Sequence, residues 1–454
     1  EQRQQQPGRH LFLWWPHYYL LAFVGACASV VTAVVVGPDV LVDSFLCVCL
    51  TMPPNLVQDL DLLRYSQNAD PETGLIRCAI LGCGMMGQEH ISYICGYPDK
   101  IRIDFLCDPH QPSLDKSCQV LQQFGAIDDN ALMMPKMLHD EHDLIQHVSD
   151  IDLLVIATPN YMHAETILQW GDHDVTILCE KPVAVSQAQH DKLLTAPLQA
   201  RLWIAMEYRF IPAVAQLLQL LPTVGDLKMV TIRENRYPFL HKIGDWNREV
   251  EYTGDTLVEK CCHFFDLFRL ITGQEVELNR VKAMAQRGIN YGDEPVREKP
   301  IIDAAYVMFP MSSSETKKSL MACLELCMYA EGSRHQEEII VTGTQGRLEA
   351  YLPENKVYAY QRPNHDEWSD RSIPPPKPVE RVYDCSNVNA VHGIHGKIPT
   401  HGGYHYSSTA VEWYQLLRAM QTHRETGHWK PDVSLADGLA AVQIGLQATK
   451  SLQE

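Results

Sequence analysis

Residues 75–87 read LIRCAILGCGMMG, an apolar run that leads into a glycine-rich turn. Residues 75–81 predict a buried β-strand, and residues 86–95 predict a helix that Gly96 closes. In the G-x-G-x-x-G turn of residues 82–87, the first glycine permits a tight turn and the second lets a pyrophosphate approach the backbone. The third glycine lets the helix pack closely on the strand. This stretch therefore predicts the first βα unit of a dinucleotide-binding fold.

A carboxylate follows the next predicted strand, at residues 101–107. Asp108 ends that strand about 20 residues after the glycine-rich turn, where a carboxylate accepts hydrogen bonds from the adenine ribose hydroxyls. No arginine comes directly after Asp108, so a 2′-phosphate would be repelled. The sequence thus predicts NAD or NADP as cofactor, with NAD favoured.

The rest of the chain predicts two domains. Short apolar runs alternate with amphipathic stretches at first, which is typical of βαβ units and a parallel sheet. They predict strands at 151–157, 175–179 and 202–206, and helices at 113–124, 135–139, 164–170 and 187–194. Longer β-rich runs then predict strands at 227–235, 304–309, 319–328 and 337–342, with helices at 407–421 and 435–450. The predicted fold is α/β: an N-terminal Rossmann dinucleotide-binding domain at 71–206, then an α+β substrate-binding and oligomerisation domain with an open, mainly antiparallel sheet at 207–454.

The composition is that of a globular chain with an acidic balance. The formal net charge of −18 repels phosphate backbones, and no basic stripe offsets it, so a nucleic-acid partner is excluded. The cysteines form no C-x-x-C pair, which predicts reduced core thiols such as Cys78, Cys83, Cys107 and Cys179. A cytoplasmic or organellar reducing compartment is expected.

Residues 1–70 are predicted to be an extension outside the catalytic fold. Residues 18–36 form an uncharged apolar run behind Arg3, Arg9 and His10, marginally long enough for a membrane span. Residues 26–28, Ala-Cys-Ala, resemble a signal-peptidase site, and the chain begins with Glu rather than Met, as a fragment would. A signal anchor, a cleaved targeting peptide and mistranslated upstream sequence all stay open. Membrane contact is expected only through this segment.

Glu180-Lys181-Pro182 follows a predicted strand at the carboxyl edge of the first sheet, where open α/β sheets bind ligands. The proline restricts Lys181 to extended conformations. A lysine there can hydrogen-bond a reacting hydroxyl, and a nearby nicotinamide cation would lower its pKa. The alternative is a solvated surface lysine, and the position in the fold favours the functional interpretation.

Glu259 and His263 lie four residues apart in a predicted helix that starts near Thr256. On one helix face, the carboxylate would orient the imidazole, giving an acid/base pair. Thr256 and Glu259 equally fit a capping box, in which Glu259 bonds only to the backbone, and a histidine among phenylalanines can be a satisfied core residue. The spacing leaves these interpretations open.

Four histidines, His392, His395, His401 and His405, lie in a glycine-rich stretch. Their spacing lacks helical or zinc-finger regularity, and no acidic or cysteine ligand lies between them. A polar loop, lining the substrate, is favoured over a metal site, and no metal is predicted.

Together these motifs resemble the Gfo/Idh/MocA family of oxidoreductases, which includes glucose-fructose oxidoreductase and inositol 2-dehydrogenase. The resemblance runs from about residue 75 to the C-terminus and rests on residues 82–87, 157–160 with His163, 179–182, 207–210 and 254–266. It implies that Lys181 contacts the substrate hydroxyl and that His263 accepts its proton. Glu259 stands where many members have aspartate and is a third candidate catalytic residue.

The predicted cofactor contacts are Gly82, Gly84, Met85, Met86, Gly87, Asp108, Thr158, Pro159, Asn160, His163, Glu180 and Lys181. Candidates for holding substrate hydroxyls are Arg209, Trp246, Arg248 and Tyr404, and packing or surface roles for these four are nearly as well supported.

The predicted function is hydride transfer between NAD(P) and a secondary alcohol of a polyol, inositol or sugar-like substrate. Two alternatives stay open: a cofactor-binding sensor without turnover, and redox-neutral NAD-dependent elimination or glycoside cleavage. The exposed face of an open second sheet predicts a homodimer or homotetramer.

Overall fold

The computed structural model describes residues 19–24, 31–36, 48–50, 74–126, 134–289, 300–312, 319–363, 370, 372–395, 398–399, 405 and 407–453. The chain divides into two units, Glu1–Arg64 and Tyr65–Glu454. The first unit holds a small antiparallel sheet in the order β1-β2-β3. Its strands are β1 (Tyr19–Val24), β2 (Val31–Val36) and β3 (Val48–Leu50). The apolar run at 18–36 therefore contains two strands, and none of the helices described is long and apolar enough to cross a membrane.

The second unit begins with a parallel six-stranded sheet in the order β6-β5-β4-β7-β8-β9. The strands are β4 (Ile76–Leu81), β5 (Ile101–Cys107), β6 (Lys136–Leu138), β7 (Leu153–Ile156), β8 (Thr176–Glu180) and β9 (Arg201–Ala205). The helices are α1 (Met85–Ile94), α2 (Gln111–Gln123), α3 (Glu141–Ile145), α4 (His163–Trp170) and α5 (Gln187–Thr195). The strand order reverses between β4 and β7, which is the point where open α/β sheets bind ligands.

The central strands are buried on both faces, and this explains their continuous apolar sequences. Every residue of β7 and β8 is buried. Cys78, Cys83, Cys107 and Cys179 are buried free thiols, as predicted. The helix predicted at 135–139 is wrong, because Lys136–Leu138 form the edge strand β6, which pairs in parallel with β5. Only Leu138 of this strand is buried, so its sequence carries no clear apolar period.

The second sheet has nine strands in the order β11-β13-β14-β10-β15-β16-β17-β18, with β12 paired to β13. They are β10 (Leu227–Asn235), β11 (Glu275–Val276), β12 (Lys282–Arg287), β13 (Ile302–Ser312), β14 (Ser319–Cys327), β15 (Glu337–Gly343), β16 (Gly346–Tyr351), β17 (Lys356–Gln361) and β18 (Val379–Asp384). β10 and β14 are parallel, and the other pairs are antiparallel. This agrees with the predicted open, mainly antiparallel sheet.

The helices that follow the first sheet are α6 (Pro212–Leu220), α7 (Val250–Thr253), α8 (Thr256–Glu259), α9 (Cys262–Thr272), α10 (Val388–His392), α11 (Ser408–Thr426) and α12 (Leu435–Ser451). Of these, α6, α8, α9 and α12 contact strands of the second sheet, whereas α11 contacts α1. Phe265 and Phe268 of α9 pack edge-on against Phe309 of β13. The fit of α12 is close at two glycines, since a Cβ on Gly438 would lie 3.1 Å from Ile204 of β9 and one on Gly445 only 2.4 Å from the Leu257 carbonyl oxygen of α8. α12 therefore joins the two sheets and positions α8.

Candidate active site

The glycine-rich turn between β4 and α1 has the shape that a pyrophosphate requires. Gly82 has φ +93°, and a Cβ there would lie 2.5 Å from the Ala157 backbone. A Cβ on Gly87 would lie 2.0 Å from the Gly82 carbonyl oxygen, whereas one on Gly84 would meet nothing within 4 Å. The first and third glycines thus permit close packing, and the second leaves open space in front of the α1 N-terminus, where backbone amides attract an anion.

Asp108 is hydrogen-bonded to this turn. Its carboxylate accepts hydrogen bonds from the backbone amides of Cys83 and His110, each at 2.7 Å. Each carboxylate oxygen keeps a further lone pair for a ligand hydroxyl. The turn and Asp108 therefore fit the pyrophosphate and ribose of a dinucleotide.

The loop after β7 is held by a buried histidine. His163 Nδ1 lies 2.8 Å from the Pro182 carbonyl oxygen, and Nε2 lies 2.9 Å from that of Thr158. Burial lowers the pKa of His163, although both carbonyls favour the charged ring. The ring thus links residues 158–160 to the segment that carries Lys181. Asn160 in this loop is buried as well.

Glu180 is buried at the end of β8 and bonds within the protein. His90 Nε2 lies 2.9 Å from Glu180 Oε1, and the Trp413 indole N–H donates to His90 Nδ1 at 3.1 Å. Burial raises the pKa of Glu180, but His90, Lys181 and His163 lower it by more, to about 2. Glu180 therefore fixes the loop that carries Lys181, and the sequence analysis missed its partner His90.

Lys181 reaches from the first sheet to the second domain. Its Nζ donates to the Glu259 carbonyl oxygen at 3.2 Å. Burial lowers the pKa of Lys181, but Cys262 and the carboxylates of Glu259, Glu207 and Glu180 raise it by more, so the net shift is upward. Lys181 therefore carries a positive charge at neutral pH, and its acidic neighbours oppose the lowering that a nicotinamide cation is expected to cause.

The predicted single helix through Glu259 and His263 is wrong. α8 ends at Glu259, a turn at Lys260 and Cys261 follows, and α9 begins at Cys262. The alternative capping box at Thr256 is not formed, because Asp255 caps α8 and the Thr256 hydroxyl donates to the Ile302 carbonyl oxygen. The buried Asp255 accepts from the Ile302 amide at 2.7 Å and from Arg287, and these contacts fix the start of α8 independently of α9.

His263 is a buried imidazole with one nitrogen available. Its ring is 2% exposed and stacks on Tyr208 with centroids 4.5 Å apart. Nε2 lies 3.5 Å from Glu207 Oε1, and Nδ1 has no hydrogen-bond partner among the described residues. Burial first, then the cations Lys181 and Lys260, put its pKa well below the usual value. A neutral ring with a free nitrogen is suited to accept a proton.

Glu259 is a buried carboxyl group beside cations. Burial raises its pKa to about 7, although Lys181, Lys242 and Arg236 act in the opposite direction. Its Oε2 has no hydrogen-bond partner within the described part of the chain. Arg236 and Lys242 were not predicted from the sequence. They follow β10 in a segment without a recognisable motif.

A second buried polar cluster holds Tyr208 against His263. The Tyr208 hydroxyl donates to Glu337 Oε1 at 2.6 Å and accepts from Lys260 Nζ at 2.7 Å. Lys260 Nζ also lies 3.2 Å from Glu234 Oε1. Burial raises the pKa of Glu234 to about 8. Tyr208 belongs to the stretch 207–210 that the sequence analysis noted, but its role was not predicted.

The predicted substrate contacts have different surroundings. The Arg209 guanidinium binds both oxygens of Asp266, at 2.6 and 2.5 Å, and the Asp432 carbonyl oxygen, which is the packing role left open by the sequence. Arg248 is buried and donates to the His241 ring at 3.0 Å, and Trp246 is half-buried in the same segment. Tyr404 lies outside the described residues. Of the four histidines, His401 also lies outside the described residues, and His395 is exposed. His405 lies beside the site, where its Nδ1 is 2.7 Å from Glu89 Oε1.

Comparisons with known proteins agree with this geometry. Residues 76–206 match a family model described as an oxidoreductase family with an NAD-binding Rossmann fold, and residues 223–454 match the C-terminal alpha/beta domain of the same family. They confirm the predicted fold class and an NAD-binding Rossmann domain.

Among curated relatives, an inositol 2-dehydrogenase of Pseudarthrobacter chlorophenolicus is 23% identical over 216 residues, 46% of this chain and 58% of that protein. A glycosyl hydrolase family 109 protein of Shewanella woodyi is 27% identical over 116 residues, 26% of this chain and 24% of that protein. The chain thus spans less than two thirds of the length of these relatives. A solved structure of levoglucosan dehydrogenase with NADH and levoglucosan has the same fold, with a TM-score of 0.63 at 17% identity over 84% of this chain and 97% of that chain.

Proposed function

Because the chain belongs to the Gfo/Idh/MocA family of oxidoreductases, we propose that it is an NAD-dependent dehydrogenase that acts on a secondary alcohol of a polyol, inositol or sugar-like substrate. One observation carries the proposal. Charged Lys181, at the carboxyl edge of the parallel sheet, is bonded to the end of α8, two turn residues before the helix of the neutral His263. This combines a cation for the substrate oxygen with a base for its proton.

The residues that would hold the cofactor are Gly82, Gly84, Gly87 and Asp108. Their fit rests on the open space at Gly84 and on the carboxylate lone pairs beside the turn. NAD bound there would supply the hydride acceptor.

The proposed proton chemistry uses the protein's own groups. The Lys181 ammonium orients the hydroxyl oxygen and favours loss of its proton. A carboxylate near Nε2 of His263 favours the tautomer with hydrogen on Nε2, so the lone pair on Nδ1 is free to take the proton. The low pKa of His263 keeps this nitrogen unprotonated at neutral pH.

The charged lining supports a hydroxyl-rich substrate. Glu259 has a free buried oxygen, and the half-buried Lys242 interacts with it electrostatically. Together with Arg236 they offer both donors and acceptors, which match the adjacent hydroxyls of a polyol. We propose the same role for Trp246 and Arg248, which lie in the segment after Lys242.

The decisive experiment follows nicotinamide absorbance with the purified chain, NAD or NADP, and a panel of inositols, sugars and sugar acids. The proposal expects net reduction of the cofactor by at least one of these substrates, loss of turnover in His263→Ala, and no loss in the exposed control His395→Ala. Binding of NAD with no reduction by any of them would support the sensor function instead.

A redox-neutral reaction is the second candidate, and two of the relatives give a reason to test it. They include the glycosyl hydrolase family 109 protein and a 2,7-anhydro-N-acetylneuraminate hydratase, 35% identical over 52 residues. The pKa of Glu259, near 7, would let it give or take a proton in an elimination. Product analysis distinguishes the two, since a redox-neutral reaction alters the substrate and leaves the cofactor in its starting state.

A further inference from the structure

Titratable side chains form a line from His263 to the surface of the molecule. Glu207 Oε1 lies 3.5 Å from His263 Nε2 and 3.7 Å from His405 Nε2, so one carboxylate oxygen faces two imidazoles. On the far side of its ring, His405 Nδ1 lies 2.7 Å from Glu89 Oε1. The Thr409 hydroxyl donates to the same Glu89 oxygen at 3.0 Å.

We propose that Glu207, His405 and Glu89 form a relay that carries the proton accepted by His263 out to water. This rests on the proposed dehydrogenase function, in which each oxidation releases one proton. His263 is 2% exposed and covered by Tyr208, so while substrate occupies its Nδ1 side it has no direct route to solvent. The side chains of His405 and Glu89 are 20% and 18% exposed, and they connect the buried base to the surface.

The charges along the relay support proton transfer. Burial raises the pKa of Glu207, with Glu180 acting in the same direction and His405 and Lys181 opposing it. Burial lowers the pKa of His405, but Glu89, Glu207 and Glu180 raise it to about 9. Burial raises the pKa of Glu89, but His405, His90 and Thr409 lower it by more. Glu207 is therefore the member most ready to accept a proton from His263, and His405 the cation that can pass one outward.

The steps balance as proton transfers alone. The substrate O–H bond breaks as an N–H bond forms at His263 Nδ1, and the Nε2 proton moves to Glu207. The cationic His405 gives its Nδ1 proton to Glu89, which releases it to water. The neutral ring that is left is 20% exposed and moves its remaining proton from Nε2 to Nδ1 by exchange with water. Nε2 then takes the Glu207 proton, which restores the cation. After the product leaves, exchange with water in the vacated site returns the His263 ring proton from Nδ1 to Nε2 and restores the starting tautomer. The contacts at 3.5 and 3.7 Å must shorten for transfer, as is common for catalytic hydrogen bonds in proteins without substrate.

The arrangement can be tested without turnover by NMR titration of ¹³C-labelled histidine in the full chain. Removing a carboxylate beside a cationic imidazole lowers its pKa by about 1 or more. We therefore expect Glu207→Gln to lower the pKa of His405. The control is Glu412→Gln, since Glu412 is equally buried but bonds to the Trp203 indole at 3.1 Å, and it should change the pKa of His405 less. An unchanged pKa of His405 in Glu207→Gln would overturn the arrangement.

The relay itself is tested with the substrate that the absorbance assay identifies. Loss of a proton-transfer group lowers kcat about 100-fold or more, and we expect this of Glu207→Gln and of His405→Ala while the Kd for NAD is unchanged. Imidazole added to the buffer should restore His405→Ala, because this position is partly exposed, but not the double variant with Glu207→Gln. Full activity of either single variant, or equal rescue of the double variant, would refute the relay.

The two proposals fail in different ways. If the wild type oxidises no substrate, the dehydrogenase proposal fails, and the relay for that reaction fails with it whatever the NMR titration gives. If the wild type turns over but Glu207→Gln is fully active, only the relay fails. His405→Gln, which keeps a polar side chain, replaces His405→Ala if the alanine variant does not fold.

Discussion

At the residue scale, a substitution of Lys181 should affect catalysis but not binding of the cofactor. Its Nζ bonds to the second domain, whereas the groups that fit the cofactor lie at the glycine-rich turn. We therefore expect Lys181→Met to lower kcat about 100-fold or more and to leave the Kd for NAD within about twofold. Fluorescence titration with NADH and steady-state kinetics measure the two effects. Lys192→Met, at an exposed ion pair with Glu165, is the control, and equal losses in kcat and NAD affinity would contradict the assignment.

Glu259 makes a pH-dependent contribution to stability at the same scale. Burial raises its pKa from 4.5 to about 7 in the folded chain. Between these values the folded chain holds a proton that the unfolded chain has lost, so the free energy of unfolding falls as pH rises. Glu259→Gln keeps the neutral form, and its stability relative to wild type should increase across this window by on the order of 3 kcal/mol.

Thermal and urea unfolding between pH 4.5 and 8 measure this change. The exposed control Glu165→Gln should show a much smaller change relative to wild type over the same range, because an exposed ion pair contributes little to stability. Parallel curves for wild type and Glu259→Gln would mean that the Glu259 carboxyl is not perturbed in the folded chain.

At the element scale, α12 sets the position of α8 and of the catalytic groups that follow it. A Cβ on Gly445 would lie 2.4 Å from the Leu257 carbonyl oxygen, a backbone atom that cannot move alone. We expect Gly445→Ala to destabilise the chain by about 1–3 kcal/mol and to raise KM, because the shift displaces Glu259. Gly332→Ala is the control, since a Cβ there meets nothing within 4 Å. An unchanged urea midpoint in Gly445→Ala would contradict this packing.

Elements with a strong local signal could be predicted from the sequence, and long-range ones could not. β4, α1 and β5 lie within a residue or two of their predicted bounds, because burial on both faces and the glycine motif both mark them. The break between α8 and α9 was missed, because the apolar period continues across Lys260 and neither glycine nor proline stands between Glu259 and Cys262.

The candidate site divides in the same way. Lys181 and His263 belong to sequence motifs and were found. The contact between Glu207 and His405 was not, because it joins two segments that are far apart in the chain. The motif at 207–210 gave a signal for Glu207. For its partner there was only a group of histidines without regular spacing.

At the scale of the whole molecule, the uncovered face of the nine-stranded sheet carries exposed methionines on β10, β12, β13 and β14 beside the ion pair of Arg233 and Glu325. Met229, Met284, Met308 and Met321 are 47%, 77%, 58% and 58% exposed. Met229 and Met321 are cross-strand neighbours on β10 and β14, and Met284 pairs with Tyr306 on β13, which is 55% exposed. Exposed apolar side chains grouped in this way are typical of a protein interface, and we propose that a second copy of the chain covers them.

A two-fold interface brings the same patch of both copies together. A charge introduced there therefore faces either the same charge on the second copy or an apolar surface. We therefore expect Met308→Glu and Met321→Glu to convert the oligomer into monomers, as measured by sedimentation velocity, without loss of secondary structure. Leu194→Glu, at an exposed apolar residue (62%) on α5 of the first sheet's domain, should leave the sedimentation coefficient unchanged. A wild type that sediments as a monomer, or an oligomer that neither methionine variant changes, would show that a second copy of the chain does not cover this face. If dissociation also lowers kcat, the oligomer supports the position of the helices on the opposite face of the same sheet, among them α9 with His263.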